Sequence, residues 1–320
     1  MKKSLIALAA LGAFAGAASA QSSVTLYGRV DLSINKGAGT NNKAINNGSG
    51  SRFGVRGVED LGGGMAAIFN IEHRYNADTG AMTDATRMWG GRSLVGLRGG
   101  FGQVVLGREY TTAFLMSQLV ADPWGWDTVV SGTPGTGLNQ LITGGAIARV
   151  RNDSSITYNV AGGGFSFGIQ TAEAVDTINV FQKKPINFAV AYAAGPLAVN
   201  FGYEKTGQRG TADAKWTTLG ASYNFGAAKV GAFFGTGNTA ANAKHRSYLL
   251  TATAPMGAGE LRGSFGKLTN RTANVDAAKG FALGYHYSLS KRTTIYADVV
   301  RNTALVREKA GYDFGVKHNF

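Results

Sequence analysis

The sequence of 320 residues predicts an all-β protein, a 16-stranded antiparallel transmembrane β-barrel. Three observations lead to this prediction. Sixteen short segments carry an apolar residue at every second position, as strands between two different environments do. Short and long connections alternate between these segments. After residue 20, no segment has the unbroken apolar run of a membrane helix.

The first twenty residues have the three zones of a secretory signal peptide. Two lysines precede an apolar run over residues 5–18, and Ala18-Ser-Ala20 forms a cleavage site before Gln21. A transmembrane anchor is the alternative, but this run is shorter than the ~20 apolar residues that a spanning helix needs. We therefore expect residues 1–20 to be removed and residues 21–320 to form a single barrel domain.

The composition restricts the chemistry of the chain. It has 47 glycines, 5 prolines and no cysteine, so a secreted chain of this size must fold without disulfides. The formal net charge is +13, and removal of Lys2 and Lys3 with the signal peptide lowers it to +11. Basic charge could indicate nucleic-acid binding, but the arginines alternate with apolar residues along strands instead of clustering on a helix or loop. We therefore expect no nucleic-acid partner.

The alternation is clearest at the two ends of the mature chain. Residues 24–32 place Val and Leu on one face and Thr, Tyr, Arg and Asp on the other, and residues 312–320 repeat this pattern. Most segments have eight to eleven residues, close to the ~9 to 11 that a tilted strand needs to cross a bilayer. The other alternating segments lie near 51–58, 64–75, 91–99, 103–109, 154–160, 165–172, 186–193, 197–205, 215–225, 228–236, 246–254, 259–268, 279–288 and 293–302.

The connections follow a second regularity. Short Gly-rich turns such as 60–63 and 99–102 alternate with longer polar stretches at 33–50, 75–90 and 172–185. An even number of strands with short turns at one rim and long loops at the other is typical of outer-membrane barrels. A soluble β-sandwich is the alternative, but its buried face would carry bulky Leu, Ile and Phe. Here the apolar face is rich in Ala, Val and Gly, with Tyr near the strand ends as in a lipid-facing aromatic belt.

One stretch, from Glu109 to Arg151, does not alternate. It contains Asp122-Pro-Trp-Gly-Trp-Asp127, a Gly- and Thr-rich run over residues 131–137, and Gly144-Gly145. A loop of that length in a compact domain is usually either disordered or functional. We expect this one to narrow a pore whose wall the alternating segments form.

Five motifs point in combination to one protein family. They are VTLYGRVD at 24–31, SRFGVRGVEDLGGGM at 51–65, RGGFGQVVLGR at 98–108, LSKRTTIY at 289–296 and the terminal Phe320. Together they resemble the general, non-specific outer-membrane porins of β-proteobacteria, which belong to the Gram-negative porin family. The resemblance runs over the whole mature chain.

This resemblance implies further properties. The long third external loop folds into the lumen, the barrel assembles as a homotrimer, and the barrel-assembly machinery reads the C-terminal Phe320. The protein lies in the cell outer membrane, surrounded by lipid, and external basic residues are candidates to bind lipopolysaccharide phosphates. The sequence departs from many porins in one respect, because its third loop carries Pro123-Trp-Gly-Trp126 and few carboxylates.

The alternation of side chains along the strands predicts that a set of charged residues faces the interior. If Phe53 faces lipid, then Arg52 and Arg56 face inward, because successive side chains of a strand point to opposite faces. Counting from the short turns places four arginines at similar heights near the long loop, as a basic half-ring: Arg52, Arg74, Arg92 and Arg151. The candidate pore-lining residues are Arg29, Arg52, Arg56, Arg74, Arg92, Arg151, Glu72, Glu109, Asp122 and Asp127.

A basic ring of this kind favours anions in a pore, although Glu72 and Glu109 lie near arginines and are expected to pair with some of them. The sequence thus predicts a passive diffusion channel for small hydrophilic solutes and ions with an anion preference. The alternative is a substrate-selective anion channel for phosphate or an organic acid.

A more remote alternative is an outer-membrane barrel hydrolase. Such an enzyme would need a Ser/His or carboxylate constellation near one rim, and no histidine has an evident nucleophile on the same face at the same height. The four histidines also lack the spacing of zinc ligands. We therefore expect no catalytic residue, no metal and no cofactor.

Overall fold

The computed structural model describes residues 22–132, 137–173, 184–207 and 212–320. The predicted signal peptide, residues 1–20, lies outside these ranges. The described chain consists mainly of 17 β-strands. In chain order they are β1 (Ser23–Lys36), β2 (Lys43–Asn47), β3 (Arg52–Gly62), β4 (Met65–Arg74), β5 (Arg92–Gly99), β6 (Gly102–Tyr110), β7 (Arg151–Gly162), β8 (Phe165–Ala172), β9 (Ile186–Ala194), β10 (Leu197–Lys205), β11 (Lys215–Asn224), β12 (Lys229–Asn238), β13 (Lys244–Met256), β14 (Gly259–Asn270), β15 (Val275–Ser288), β16 (Thr293–Asn302) and β17 (Ala310–Asn319).

Sixteen of these strands form a closed antiparallel barrel, which confirms the predicted fold class. From β3 to β17 each strand pairs with its neighbour in the chain, and β1 closes the ring by pairing with β3 and β17. The remaining strand, β2, pairs with β1 beyond the point where the β1–β3 pairing ends. The stretch 33–50, predicted as a loop, contains the end of β1 and a short hairpin formed with β2. The hairpin pairs backbone N–H and C=O groups that a loop would leave to solvent.

The two faces of the strands differ as the alternation predicts. Leu26 and Leu250 point outward, with exposed fractions of 63% and 57%, whereas Leu249, next to Leu250, is fully buried. Large apolar side chains on the outer face would be costly in water and are favourable against lipid. The barrel thus presents an apolar band outward and keeps most of its charges inside or at the rims.

The barrel closes where the C-terminus meets β1. The backbone N–H of Gly28 donates to the carbonyl oxygen of Phe320 (3.0 Å), and the N–H of Phe320 donates to the carbonyl oxygen of Gly28 (3.1 Å). A Cβ at position 28 would clash with the Phe320 ring. Glycine at this position therefore lets the terminal aromatic ring cover the seam.

The long stretch between β6 and β7, residues 111–150, is called loop 3 below. Its described residues, 111–132 and 137–150, fold into the barrel, as predicted, and include a π-helical turn (Phe114–Gln118) and two short helices, α1 (Thr128–Ser131) and α2 (Leu138–Thr143). The helix α1 contacts β16 and β17, and α2 contacts β12 to β16. Among the described residues, no helix is both long and apolar enough to cross a membrane.

Loop 3 is held against one inner wall by a small hydrophobic core. Leu138 and Ile142 of α2 are buried with wall residues that include Trp216, Leu249 and Leu268. Full burial of a side chain such as Ile142 stabilises a structure by about 1.5–3 kcal/mol relative to exposure. The loop is therefore a packed part of the barrel interior.

Candidate functional site

The wall that faces loop 3 carries a group of arginines at one height. Arg52 lies opposite Arg29 in the β1–β3 pairing and opposite Arg74 in the β3–β4 pairing. Like charges directly opposite each other destabilise a sheet. This arrangement therefore needs compensating contacts.

Carboxylates supply only part of that compensation. Three ion pairs are present: Arg74–Glu72 at 2.7 Å, Arg92–Glu109 at 2.9 Å and Arg29–Asp127 at 3.1 Å. Arg52 and Arg151 have no carboxylate within 4.0 Å in the part of the chain that the structure describes. Five guanidinium groups against three carboxylates leave a formal excess of two positive charges, so the ion pairs do not cancel the positive field.

A tyrosine lies at the centre of this group. The structure brings Arg74, Arg92 and Arg151 into contact with Tyr110, the last residue of β6. Arg52 lies beside them and donates from Nε to the carbonyl oxygen of Gly50 (2.9 Å). Arg52, Arg74, Arg92 and Arg151, predicted to lie at similar heights, thus lie close together. With Arg29 they form a group that we call the arginine cluster.

The remaining predicted arginine, Arg56, lies outside the cluster. It is two inward positions nearer the short-turn rim than Arg52, and its guanidinium carbon is 5.2 Å from the centre of the Tyr27 ring. The Tyr27 hydroxyl in turn donates to Asn70 Oδ1 (2.8 Å) and Glu72 Oε2 (3.2 Å). Arg56 therefore extends the basic surface away from loop 3.

Two basic residues outside the predicted set also point inward. Lys317 lies opposite Asp31 in the β1–β17 pairing, and Arg262 forms an ion pair with Glu260 at 2.8 Å. The alternation of residues 312–320 already placed Lys317 on the inner face. No motif marks either residue, so strand parity was the only signal that could have found them.

Asp122 is among the residues that line a cavity of about 590 Å³ beside loop 3, but it lies outside the arginine cluster. Its side chain is buried inside loop 3, where it accepts hydrogen bonds from the backbone N–H groups of Trp124 (3.2 Å) and Trp126 (2.9 Å) and from Asn139 Nδ2 (2.8 Å). Burial raises the pKa of the Asp122 carboxyl group, and hydrogen bonds from Ser131 and Asn139 oppose that rise. This residue therefore stabilises the loop. Of the two predicted loop carboxylates, Asp127 is the one that forms an ion pair with the arginine cluster, through Arg29.

Polar contacts fix loop 3 to the opposite wall. Trp124 Nε1 donates to Asp298 Oδ1 (2.7 Å), and the backbone N–H of Val129 donates to Asp313 Oδ2 (2.8 Å). From the wall side, Trp216 Nε1 donates to the carbonyl oxygen of Thr143 (3.0 Å). These contacts join the hydrophobic core in setting how far the loop reaches into the interior.

Open space remains on the short-turn side of loop 3. A cavity of about 590 Å³ lies between the loop residues Leu115 and Val120 and the small polar side chains of the wall, such as Asn200 and Ser222. A second cavity of about 540 Å³ is lined by Arg98, among others. The described residues contain no group of three or more His, Cys, Asp or Glu side chains placed to hold a metal ion. Open space beside fixed arginines is an arrangement that can guide a charged solute.

Comparisons with known proteins agree with this geometry. Residues 7–304 match the model of a family described as Gram-negative porin. Outer membrane porin protein 32 of Delftia acidovorans is 36% identical over 343 residues, covering 99% of this chain and 93% of the relative. An outer membrane porin protein of Bordetella pertussis is 30% identical over 396 residues, covering 100% of both.

Solved structures show the same fold. An anion-selective porin from Comamonas acidovorans matches with a TM-score of 0.73 and 28% identity, covering 94% of this chain and 100% of that chain. The trimer form of OmpT from Vibrio cholerae matches with a TM-score of 0.71 and 16% identity, covering 93% of this chain and 99% of that chain. The latter likeness concerns the fold alone.

Proposed function

Because the chain belongs to the Gram-negative porin family and forms a passive channel in the outer membrane, we propose that its arginine cluster gives it a preference for anions. The protein is a channel and not an enzyme, as its family indicates. One observation carries the proposal: among the described residues, five arginines form ion pairs with only three carboxylates at the height where loop 3 narrows the interior.

The physical basis is the short range of electrostatic forces in salt solution. At physiological ionic strength the Debye length is about 8 Å, so charges on wide external loops have little effect on a passing ion. In a narrow passage, two unit charges 4 Å apart interact by about 4 kcal/mol at an effective dielectric constant of about 20. Arginine keeps its charge at any physiological pH. The cluster therefore raises the local concentration of anions and lowers that of cations.

The similarity to an anion-selective porin from Comamonas acidovorans supports the same preference. A second candidate function is a substrate-selective anion channel for phosphate or an organic acid. It is favoured by Arg52 and Arg151, which lack carboxylate partners among the described residues, since guanidinium groups bind carboxylates and phosphates in a bidentate manner. Concentration-dependent block of chloride current by one such solute would favour selectivity over general diffusion.

The decisive experiment is the zero-current potential of the reconstituted protein across a KCl gradient. A variant with Arg52, Arg74, Arg92 and Arg151 replaced by Gln is compared with the wild type. We expect the wild type to prefer chloride and the variant to have an anion-to-cation permeability ratio of about 1 or lower, because four positive charges are lost from the passage.

The matched control removes four positive charges from the outer surface, through Lys215→Gln, Arg246→Gln, Lys279→Gln and Arg301→Gln. These side chains are exposed and lie on outward positions of β11, β13, β15 and β16. We expect the control to keep the wild-type preference. Cation preference in the wild type, or equal effects of both variants, would contradict the proposal.

The same outward residues have a proposed role as lipid contacts. Arg246, Lys279 and Arg301 form no ion pair with another described residue and stand on the long-loop side of an exposed apolar band that includes Leu250 and Phe281. The phosphates of lipopolysaccharide fit such a basic rim. The control variant above should therefore copurify with less lipopolysaccharide than the wild type. An unchanged amount would argue against this partner.

Export and assembly complete the proposal. Residues 1–20 act as a cleaved signal peptide, so the mature protein should begin at Gln21 by mass spectrometry. Phe320, which lies at the barrel seam beside Gly28, is the signal for the barrel-assembly machinery. Deletion of Phe320 should lower the amount of folded protein in the outer membrane. Folded protein at the wild-type level would remove Phe320 from this role.

A homotrimer is the proposed assembly state. The outer face of β1 is apolar, with Val24, Leu26 and Ile34 at least 59% exposed in the single chain, which suits contact with a neighbouring subunit. One solved structure of the same fold is a trimer form. Light scattering in detergent, corrected for bound detergent, should give three times the mass of one chain. A single-chain mass would contradict it.

A further inference from the structure

The residue at the centre of the arginine cluster is a tyrosine, whose phenol is ordinarily uncharged at neutral pH. The hydroxyl oxygen of Tyr110 accepts a hydrogen bond from Arg74 Nη2 (2.6 Å) and a second one from Arg151 Nη2. The guanidinium carbons of Arg151 and Arg92 lie 4.0 and 4.9 Å from the centre of its ring. Three arginines thus converge on one phenol, through two hydrogen bonds and two cation–π contacts.

Other residues do not provide this convergence for Arg151. Arg74 and Arg92 each have a carboxylate partner, Glu72 and Glu109 respectively. Arg151 has none among the described residues, and its Nε has no hydrogen-bond partner there. The contacts with Tyr110 are therefore what orients this guanidinium group against the repulsion of its neighbours.

The Tyr110 ring is itself held in place from the loop side. Phe114 stacks on it with ring centres 5.5 Å apart and an angle of 12° between the planes. Trp126 packs edge-on against Phe114, with ring centres 4.8 Å apart. This aromatic series links loop 3 to the arginine wall, so the position of Tyr110 does not depend on the arginines alone.

We propose that Tyr110 is a positioning residue for ion selectivity, one that keeps Arg74 and Arg151 directed at the passage without cancelling their charge. This inference rests on the proposed anion preference. A carboxylate in the same place would also hold the two arginines, but it would remove one positive charge from the passage. A phenol oxygen accepts hydrogen bonds while remaining neutral, and the net positive field is preserved.

The test is Tyr110→Phe, which keeps the ring and its stacking and removes the hydroxyl acceptor. We expect the anion-to-cation permeability ratio, measured from the zero-current potential in dilute KCl, to fall by about twofold to fivefold. Conductance in about 1 M KCl should stay at the wild-type value, because the Debye length is then only about 3 Å and conductance reports mainly the width of the passage. Tyr158→Phe is the matched control, since its hydroxyl group donates to the carbonyl oxygen of Phe101 at the short-turn rim.

A double-mutant comparison separates positioning from a general loss of structure. If Tyr110 acts through Arg74 and Arg151, then Tyr110→Phe should have no further effect in a variant that already carries Arg74→Gln and Arg151→Gln. An unchanged ratio in Tyr110→Phe, or a full additional effect in the triple variant, would overturn the inference. If the wild type prefers anions, either of these results overturns the role of Tyr110 but leaves the proposed function intact. If the wild type prefers cations, the proposed function itself is contradicted.

Discussion

The two inner walls of this barrel have the same backbone geometry but carry different side chains on their inward positions. On the wall formed by β1 and β3 to β7, inward positions carry arginines that converge on Tyr110. On the wall formed by β11 to β17, inward positions carry Trp216, Leu249 and Leu268, and loop 3 covers them. Packing on one side holds loop 3 in the interior, and we propose that the excess positive charge on the other side makes the passage prefer anions.

This difference suggests that width and selectivity can be changed separately. Variants of the packed wall should alter conductance, its noise and the stability of the loop while they leave the sign of the selectivity unchanged. Variants of the arginine wall should alter the zero-current potential while the width stays the same. The following predictions test this separation, from the largest expected effect to the smallest.

Ile142→Ala should have the largest effect, because this side chain is fully buried between α2 and the wall. Loss of a buried Ile side chain costs about 2–5 kcal/mol, and part of that loss should appear as detachment of the loop. We expect a lower free energy of unfolding in a urea titration and more noise in the open-channel current.

The matched control is Leu141→Ala, one residue earlier in the same helix, whose side chain is only partly buried. Its effect should be clearly smaller. If Ile142→Ala instead abolished the anion preference and left the noise unchanged, the two walls would not act separately.

Asp298→Ala should have an intermediate effect. It leaves the buried Trp124 Nε1 without its acceptor, and His286 Nε2 loses the partner at 3.1 Å. An unsatisfied buried donor costs about 1–3 kcal/mol, so the thermal unfolding midpoint should fall. Asp298→Asn keeps an acceptor oxygen and should recover part of the loss. Equal midpoints for both variants would show that this hydrogen bond does not hold the loop.

Trp216→Phe should have the smallest effect of the three. It removes the hydrogen bond from Nε1 to the carbonyl oxygen of Thr143 and keeps an aromatic ring in the core. A net loss of about 0.5–1.5 kcal/mol is expected, seen as a modest shift of the urea midpoint. A shift larger than that of Ile142→Ala would mean that the polar contact, and not the hydrophobic core, dominates the attachment of loop 3.

Much of the candidate site could be predicted because strand parity and turn spacing are local properties. Arg52, Arg74, Arg92 and Arg151 fall at one height because antiparallel pairing fixes the relative height of neighbouring strands from their turns. Tyr110 was not predicted, because nothing in its local sequence shows that side chains from three other strands meet it.

The loop shows the limit of sequence reasoning more clearly. Asp122 and Asp127 lie five positions apart in the same polar segment, yet one is buried among backbone N–H groups and the other pairs with Arg29. Without a regular period, nothing in the sequence fixes which way a loop carboxylate points. Only the packing of the folded loop decides it.

The sequence by itself determined the strand number, the inward and outward faces and the height of the arginines, because a period of two and short turns leave a barrel little freedom. Only the tertiary structure decided which wall loop 3 covers, which arginines lack a carboxylate partner and which tyrosine ring they contact. These features depend on contacts between residues far apart in the chain, such as Trp124 with Asp298 and Arg29 with Asp127, and side-chain periodicity carries no information about such contacts.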